Sequence, residues 1–180
     1  MLMLRLLYAC LLGLVGAAII HILVVLLVPT YSDQNAWSQI SKLGEPYQFY
    51  DLATRQNLTA SSDPYFIEAV CRFELNEQAV HIHAEGLLPF WSVSIYNRQG
   101  DNLLNFNDTI AADGDLDLII SPLSLGPALK ASLAEAQSHS VLVEQDISEG
   151  MITLRALVPD ASWQELGKQM LSGANCTPLI

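Results

Sequence analysis

Phe90-Trp91-Ser92-Val93-Ser94-Ile95-Tyr96-Asn97 alternates along its length, with Trp91, Val93 and Ile95 on one side and Ser92, Ser94 and Tyr96 on the other. A side-chain period of two marks a half-buried β-strand. Arg98-Gln99-Gly100-Asp101 follows as a turn, and Leu103 to Phe106 is expected to pair back as a hairpin. Upstream, Ala79 to Glu85 alternates cleanly and Ala69 to Leu75 more loosely. Downstream, Asp113-Gly114-Asp115 turns the chain into the apolar run Leu116 to Ile120. A second hairpin is expected from Val141 to Gln145, a turn through Ser148-Glu149-Gly150, and Met151 to Val158.

Two helices are expected among these strands. Leu129 to Gln137 has helix-forming composition after Pro127, and Trp163 to Leu171 follows Ser162, with Glu165 three residues on at capping-box spacing. The expected fold is mainly β within the α+β class: an antiparallel domain of about six to eight strands, a sandwich or partial barrel, with about two helices at its flank.

At the other end of the chain, Leu6 to Val28 contains no Lys, Arg, Asp or Glu. As a helix rising about 1.5 Å per residue, such a run reaches roughly 35 Å and can cross a hydrocarbon core of about 30 Å. Two alternatives use the same residues. Gly16-Ala17-Ala18 is a candidate cleavage site for a signal peptide, and Leu7-Tyr8-Ala9-Cys10 resembles a lipoprotein box. The chain stays apolar from Ile19 to Val28, whereas a cleaved signal turns polar near its cut, and only nine residues precede Cys10. The expected organisation is a cytoplasmic tail over 1–5, a transmembrane anchor over 6–28, a membrane-exit segment and loop over 29–64, and an extracytoplasmic β-rich domain over 65–180.

Orientation follows from the basic residues near the span. Arg5 and the α-amino group lie before it, whereas Asp33 comes first after it and Lys42 only later, which favours an N-in, C-out anchor. Tyr31 and Trp37 suit the headgroup layer, with Ala36 to Leu43 as a short helix against that surface. Within the run, Ala9, Gly13, Ala17 and His21 recur every four residues and share one helix face. Small residues at that spacing let two helices approach closely in lipid, and a polar imidazole beside them favours a partner helix or the interface over lipid.

The formal net charge of −11 makes nucleic acid and anionic lipid poor partners. With Arg5 set aside, the remainder is one charge more acidic still. Of three cysteines, Cys10 lies in the apolar run, leaving Cys71 and Cys176 as a candidate disulfide in an oxidising compartment. The alternative makes Cys71 a small buried hydrophobe and Cys176 a tail thiol.

His81, His83 and Glu85 fall on one side of a strand and form the best metal candidate, with His139 or a carboxylate as a further ligand. The same pattern arises on any half-exposed strand whose Val80, Ile82 and Ala84 face the core, so no metal site is assigned. Asp113-Gly114-Asp115-Leu116-Asp117 opens like a calcium loop but has Leu118 at the sixth position and Ser124 at the twelfth, and is read as a turn. No Gly-x-Ser-x-Gly elbow, Walker loop or dinucleotide glycine cluster occurs, and no cofactor is expected.

Trp37, Cys71-Arg72-Phe73, Phe90-Trp91-Ser92-Val93-Ser94-Ile95-Tyr96 and Leu154-Arg155-Ala156-Leu157-Val158-Pro159 together resemble the bacterial domain-of-unknown-function family 1254, in its short membrane-anchored members. Larger relatives are β-rich and continue into a second domain, family 1214. The resemblance implies that a separate membrane protein carrying that companion domain is a partner, with self-association as the other route. It transfers no catalytic residue. The expectation is a non-catalytic interaction or structural protein of the bacterial inner membrane, with its domain in the periplasm. The alternative is an envelope enzyme or metal-dependent small-ligand-binding protein.

Overall fold

The computed structural model describes residues 1–31, 35–52, 63–111, 114–135 and 139–179. The first element, α1 (Leu2–Tyr31), begins before the uncharged run and ends beyond it. Its apolar side chains from Leu2 to Val28 are exposed, with no part of the helix core buried against the rest of the chain.

The strands are β1 (Phe49–Asp51), β2 (Phe66–Glu74), β3 (Ala79–Ala84), β4 (Trp91–Asn97), β5 (Asn102–Asn107), β6 (Leu116–Pro122), β7 (Val141–Gln145), β8 (Glu149–Leu157) and β9 (Asn175–Leu179). Three further helices are α2 (Ala36–Ser41), α3 (Gly126–Glu135) and α4 (Gln164–Gly173). One sheet, A, runs β1-β2-β8-β4-β5 and the other, B, runs β7-β6-β3-β9. The fold is α+β, an apolar helix followed by two sheets.

Alternation builds the core. Trp91, Val93 and Ile95 of β4 and Ile152, Leu154 and Ala156 of β8 turn inward from sheet A, while Val80, Ile82 and Ala84 of β3 and Leu116, Leu118 and Ile120 of β6 turn inward from sheet B. All are buried in one cluster. The expected β4–β5 hairpin forms, pairing Ser92 with Asn107 and Ile95 with Leu104.

The second expected hairpin does not form. β7 lies in sheet B and β8 in sheet A, so the turn residues between them carry the chain from one sheet to the other. β7 instead pairs with β6 in parallel, with Leu118 opposite Val141, through a crossover containing α3. The composition of β6 explains this: Ile119 and Ser121, on its second face, are buried as deeply as the core residues, and strands covered on both faces suit parallel pairing. The sheets are therefore antiparallel apart from this pair.

β1 and β9 were not expected as strands. β9 is an edge strand on β3, where Pro178 costs no ladder bond on its outer side. The capping box at α4 is not used: its cap residue is Trp163, with no side-chain cap bond, and the Ser162 N–H and hydroxyl both donate to Asp160. α3 spans Gly126–Glu135, and the expected continuation through Gln137 lies outside the described residues. Most of the expected loop over 53–64 lies outside them too.

Candidate functional site

β3 presents His81 and His83 on the outer face of sheet B because Val80, Ile82 and Ala84 are taken by the core. Their ring centroids are 6.1 Å apart and the rings are tilted by 33°. The nearest strongly polar neighbour comes from β6: Asp117 stands opposite His83 in the ladder, and its Oδ1 lies 2.7 Å from Nε2 of His81. Both side chains are about a third exposed, so solvent screens the pair and it adds little to stability. Glu85 lies past the end of β3 and is exposed. Among the described residues, no group of three or more His, Cys, Asp or Glu side chains is placed to hold a metal ion. The strand thus brings His81 and His83 together as spacing implied, and gives His81 a carboxylate partner.

Across the sandwich, Cys71 of β2 and Cys176 of β9 are joined in a disulfide. Both are buried in the main core cluster. Asp115 and Gly114, residues of the rejected calcium loop, hold neighbouring groups: Asp115 Oδ1 accepts the Gly86 N–H at 2.7 Å, and the Gly114 carbonyl accepts the Trp91 indole N–H at 3.0 Å. Gly114 has φ +88, a left-handed turn conformation that glycine adopts without strain. Asp113 lies outside the described residues.

The outer face of sheet A carries a feature absent from the sequence expectations. α2 packs there, and Trp37, Ile40 and Leu43 form a second apolar cluster with Val70, Met151 and Tyr96. Trp37 is held between two guanidinium groups, Arg72 and Arg98, each 5.7 Å from its ring centroid. Arg98 also pairs with Glu149, and Arg72 donates to the Gly44 carbonyl. Trp37 is therefore turned onto the domain. Its amphipathic ring suits either a headgroup layer or a cationic sheet face, so sequence gave no means to choose. On the same face Glu68 accepts from Arg155, whose guanidinium sits 4.5 Å from the Phe66 ring centroid.

Ala9, Gly13, Ala17 and His21 all lie within α1, where spacing of four residues puts them along one face. A side chain at Gly13 would meet no atom of the rest of the chain. A cleft of about 530 Å³ lies between α4 and β1, with Phe49 and Leu171 as apolar lining and Asp51, Glu165 and Lys168 as charged groups. Among the described residues that line it there is no cysteine, histidine or serine–histidine pair that would mark a nucleophile and its base.

Comparison with known proteins bears on the fold alone. No protein-family model matches the chain, and no curated protein matches it either. Among solved structures it is similar to the VPA0106 protein from Vibrio parahaemolyticus, with a TM-score of 0.55 at 7% identity over 78% of this chain. It is also similar to an uncharacterized protein from Burkholderia cenocepacia, with a TM-score of 0.47 at 15% identity over 74% of this chain. The chain spans 32% and 34% of those two proteins, about a third of the length of each. The Vibrio likeness shows that the two-sheet arrangement is one that natural chains adopt.

Proposed function

We propose that this chain is a single-span protein of the bacterial inner membrane, oriented N-in, whose β-rich domain works in the periplasm as a non-catalytic interaction or structural component. The observation that carries the reading is the exposure of α1: Leu6 to Val28 has no charged residue, and the helix is buried against no described part of the chain. In water so much apolar surface costs about 25 cal/mol per Å², whereas a bilayer accommodates it. The Cys71–Cys176 bond supports an oxidising compartment for the domain. The resemblance to family 1254 supports a partner bearing the companion family 1214 domain, and a like fold making up 32% of a longer protein fits that reading.

The test is a C-terminal fusion to a reporter enzyme active only outside the cytoplasm, combined with carbonate extraction of membranes and the mass of the mature chain. The expected result is an active reporter on a chain of full mass retained in the membrane. An inactive reporter overturns the orientation, and a soluble product shortened at its N-terminus overturns the anchor in favour of a signal peptide.

A further inference from the structure

Sheet A ends at β5, which pairs with β4 on one side and with no described strand on the other. Exposed edges in natural proteins are usually guarded by a charge, a proline, a bulge or short length. β1 has three residues, β9 carries Pro178 and β7 carries Glu144. β5 carries neither charge nor proline: Asn102-Leu103-Leu104-Asn105-Phe106-Asn107. Its one irregularity, a register shift opposite Ile95 and Tyr96, leaves Leu104 to Asn107 regularly paired.

We infer that β5 pairs antiparallel with β5 of a second copy of this chain, joining two copies of sheet A into one continuous sheet. This rests on the membrane-anchor reading above. Charge favours such a contact. Two copies of a chain with net charge −11 repel except where the contact is uncharged, and residues 102–107 are such a place. With the pair centred on Asn105, Leu104 faces the second copy's Phe106, and the flanking acids are kept apart, Asp101 facing Thr109 and Asp108 facing Asn102.

Symmetry supplies an independent argument. Antiparallel edge strands of two identical chains are related by a twofold axis normal to the sheet. Two anchors that enter one bilayer in the same direction need that axis along the membrane normal. Sheet A must then lie flat over the bilayer, and each anchor must leave from the face that sheet B does not cover. That is the face on which α2 packs, and α2 starts at Ala36, just after α1 ends at Tyr31. The chain from Tyr31 to Asn35 reaches at most about 14 Å.

The exit lies over the middle of the sheet. Trp37 touches both Arg72 of β2 and Arg98 in the turn that leads into β5, and its cluster takes in Tyr50 of β1, Met151 of β8 and Tyr96 of β4. At about 4.8 Å per strand, the central strand β8 lies roughly 12 Å from the axis, and the reach of about 14 Å from Tyr31 to Asn35 lets two helices packed about 8–10 Å apart meet there. The stripe Ala9, Gly13, Ala17 then offers the face along which those helices meet.

The experiment uses the full chain in membranes, in a Cys10→Ser background so that the α1 thiol cannot cross-link. Asn105→Cys under mild oxidation is expected to give an intermolecular disulfide, and Ser172→Cys, on exposed α4, is expected to give none. After extraction in mild detergent, light scattering should find two copies per particle for the parent chain and for Ser172→Lys. Asn105→Lys, which sets like charges face to face at an exposed position, should weaken association at least tenfold. Absence of the Asn105→Cys cross-link, equal cross-linking at Ser172→Cys, or an Asn105→Lys chain that still pairs fully overturns the inference. Carbonate extraction of the same membranes separates it from the anchor reading: a retained chain with no cross-link removes the edge pairing alone, and a released chain that still cross-links removes the anchor alone.

Discussion

Cys71 and Cys176 are bonded between β2 of sheet A and β9 of sheet B, with their Cα atoms 6.6 Å apart. The bond ties the last strand, which pairs with β3 and packs in the core, to the opposite layer. It closes a sequence separation of 105 residues, a loop for which the chain-entropy model gives roughly 4–5 kcal/mol. Cys176→Ala is expected to lower stability by about 3–5 kcal/mol. Urea unfolding of the full chain in detergent measures this, and the parent chain under reductant should shift with it; an unchanged midpoint in both would remove the bond from the stability account.

Trp91 is fully buried at the centre of the core, and its indole N–H is satisfied by the Gly114 carbonyl. Trp91→Phe fills most of the volume but strands that acceptor, for a cost of about 1–3 kcal/mol. Trp91→Ala adds a cavity and should cost about 3–5 kcal/mol. The order parent, Phe, Ala in thermal unfolding checks the assignment, and equal losses for Phe and Ala would show that the lost indole hydrogen bond, not packing, sets the cost.

How much of this was legible in the sequence depended on whether the deciding interaction was local. β4 and its hairpin with β5 were readable because alternation and the Arg98–Asp101 turn lie within the segment itself. The β7–β8 hairpin does not form because Glu149 and Gly150 already belong to β8 and the short passage over 146–148 crosses between the sheets, while β6, buried on both faces from Leu118 to Ser121, takes β7 as its parallel neighbour. The His81 and His83 pairing on one face was visible, whereas Asp117, 36 residues away, became a neighbour only through the β3–β6 ladder. Trp37 was visible as an aromatic beside a span, but its binding to Arg72 and Arg98 needed the sheet that collects those two residues.

That clamp gives a prediction of its own. Trp37→Ala removes a half-buried ring and two cation–π contacts worth about 0.5–1 kcal/mol each at partly exposed sites. Limited proteolysis should then cut between α1 and β1 faster than in the parent, while the far edge of sheet B stays protected. Trp37→Phe keeps a ring between the guanidinium groups and should fall between the two.

Gly86 makes a close backbone approach. A Cβ there would overlap the Gly114 carbonyl, which also accepts the Trp91 indole N–H. Backbone cannot swing aside as a flexible side chain does, so Gly86→Ala should cost about 1–3 kcal/mol or more. Gly100→Ala, in open space, lacks the clash and keeps only the strain of its φ of +90. A larger loss at Gly86 than at Gly100 in chemical unfolding supports contact as the dominant cause, and the reverse order would assign it to backbone conformation.

At the start of α4, the Ser162 hydroxyl and then its backbone N–H donate to Asp160 and hold that carboxyl below its ordinary value. A carboxyl lowered in the folded state contributes stability that is present above its unfolded value, near 3.9, and is lost as pH falls through the folded value. The site is exposed, so the effect is local: α4 should loosen at its first turn in acid before the β core responds. Asp160→Asn keeps an acceptor but has no proton to gain, so its first turn should show no acid transition of its own. Amide exchange at Gly167, whose N–H closes the first turn on the Trp163 carbonyl, followed from neutral pH into acid in both chains, reads this directly; a transition that persists in Asp160→Asn would place the acid sensitivity elsewhere.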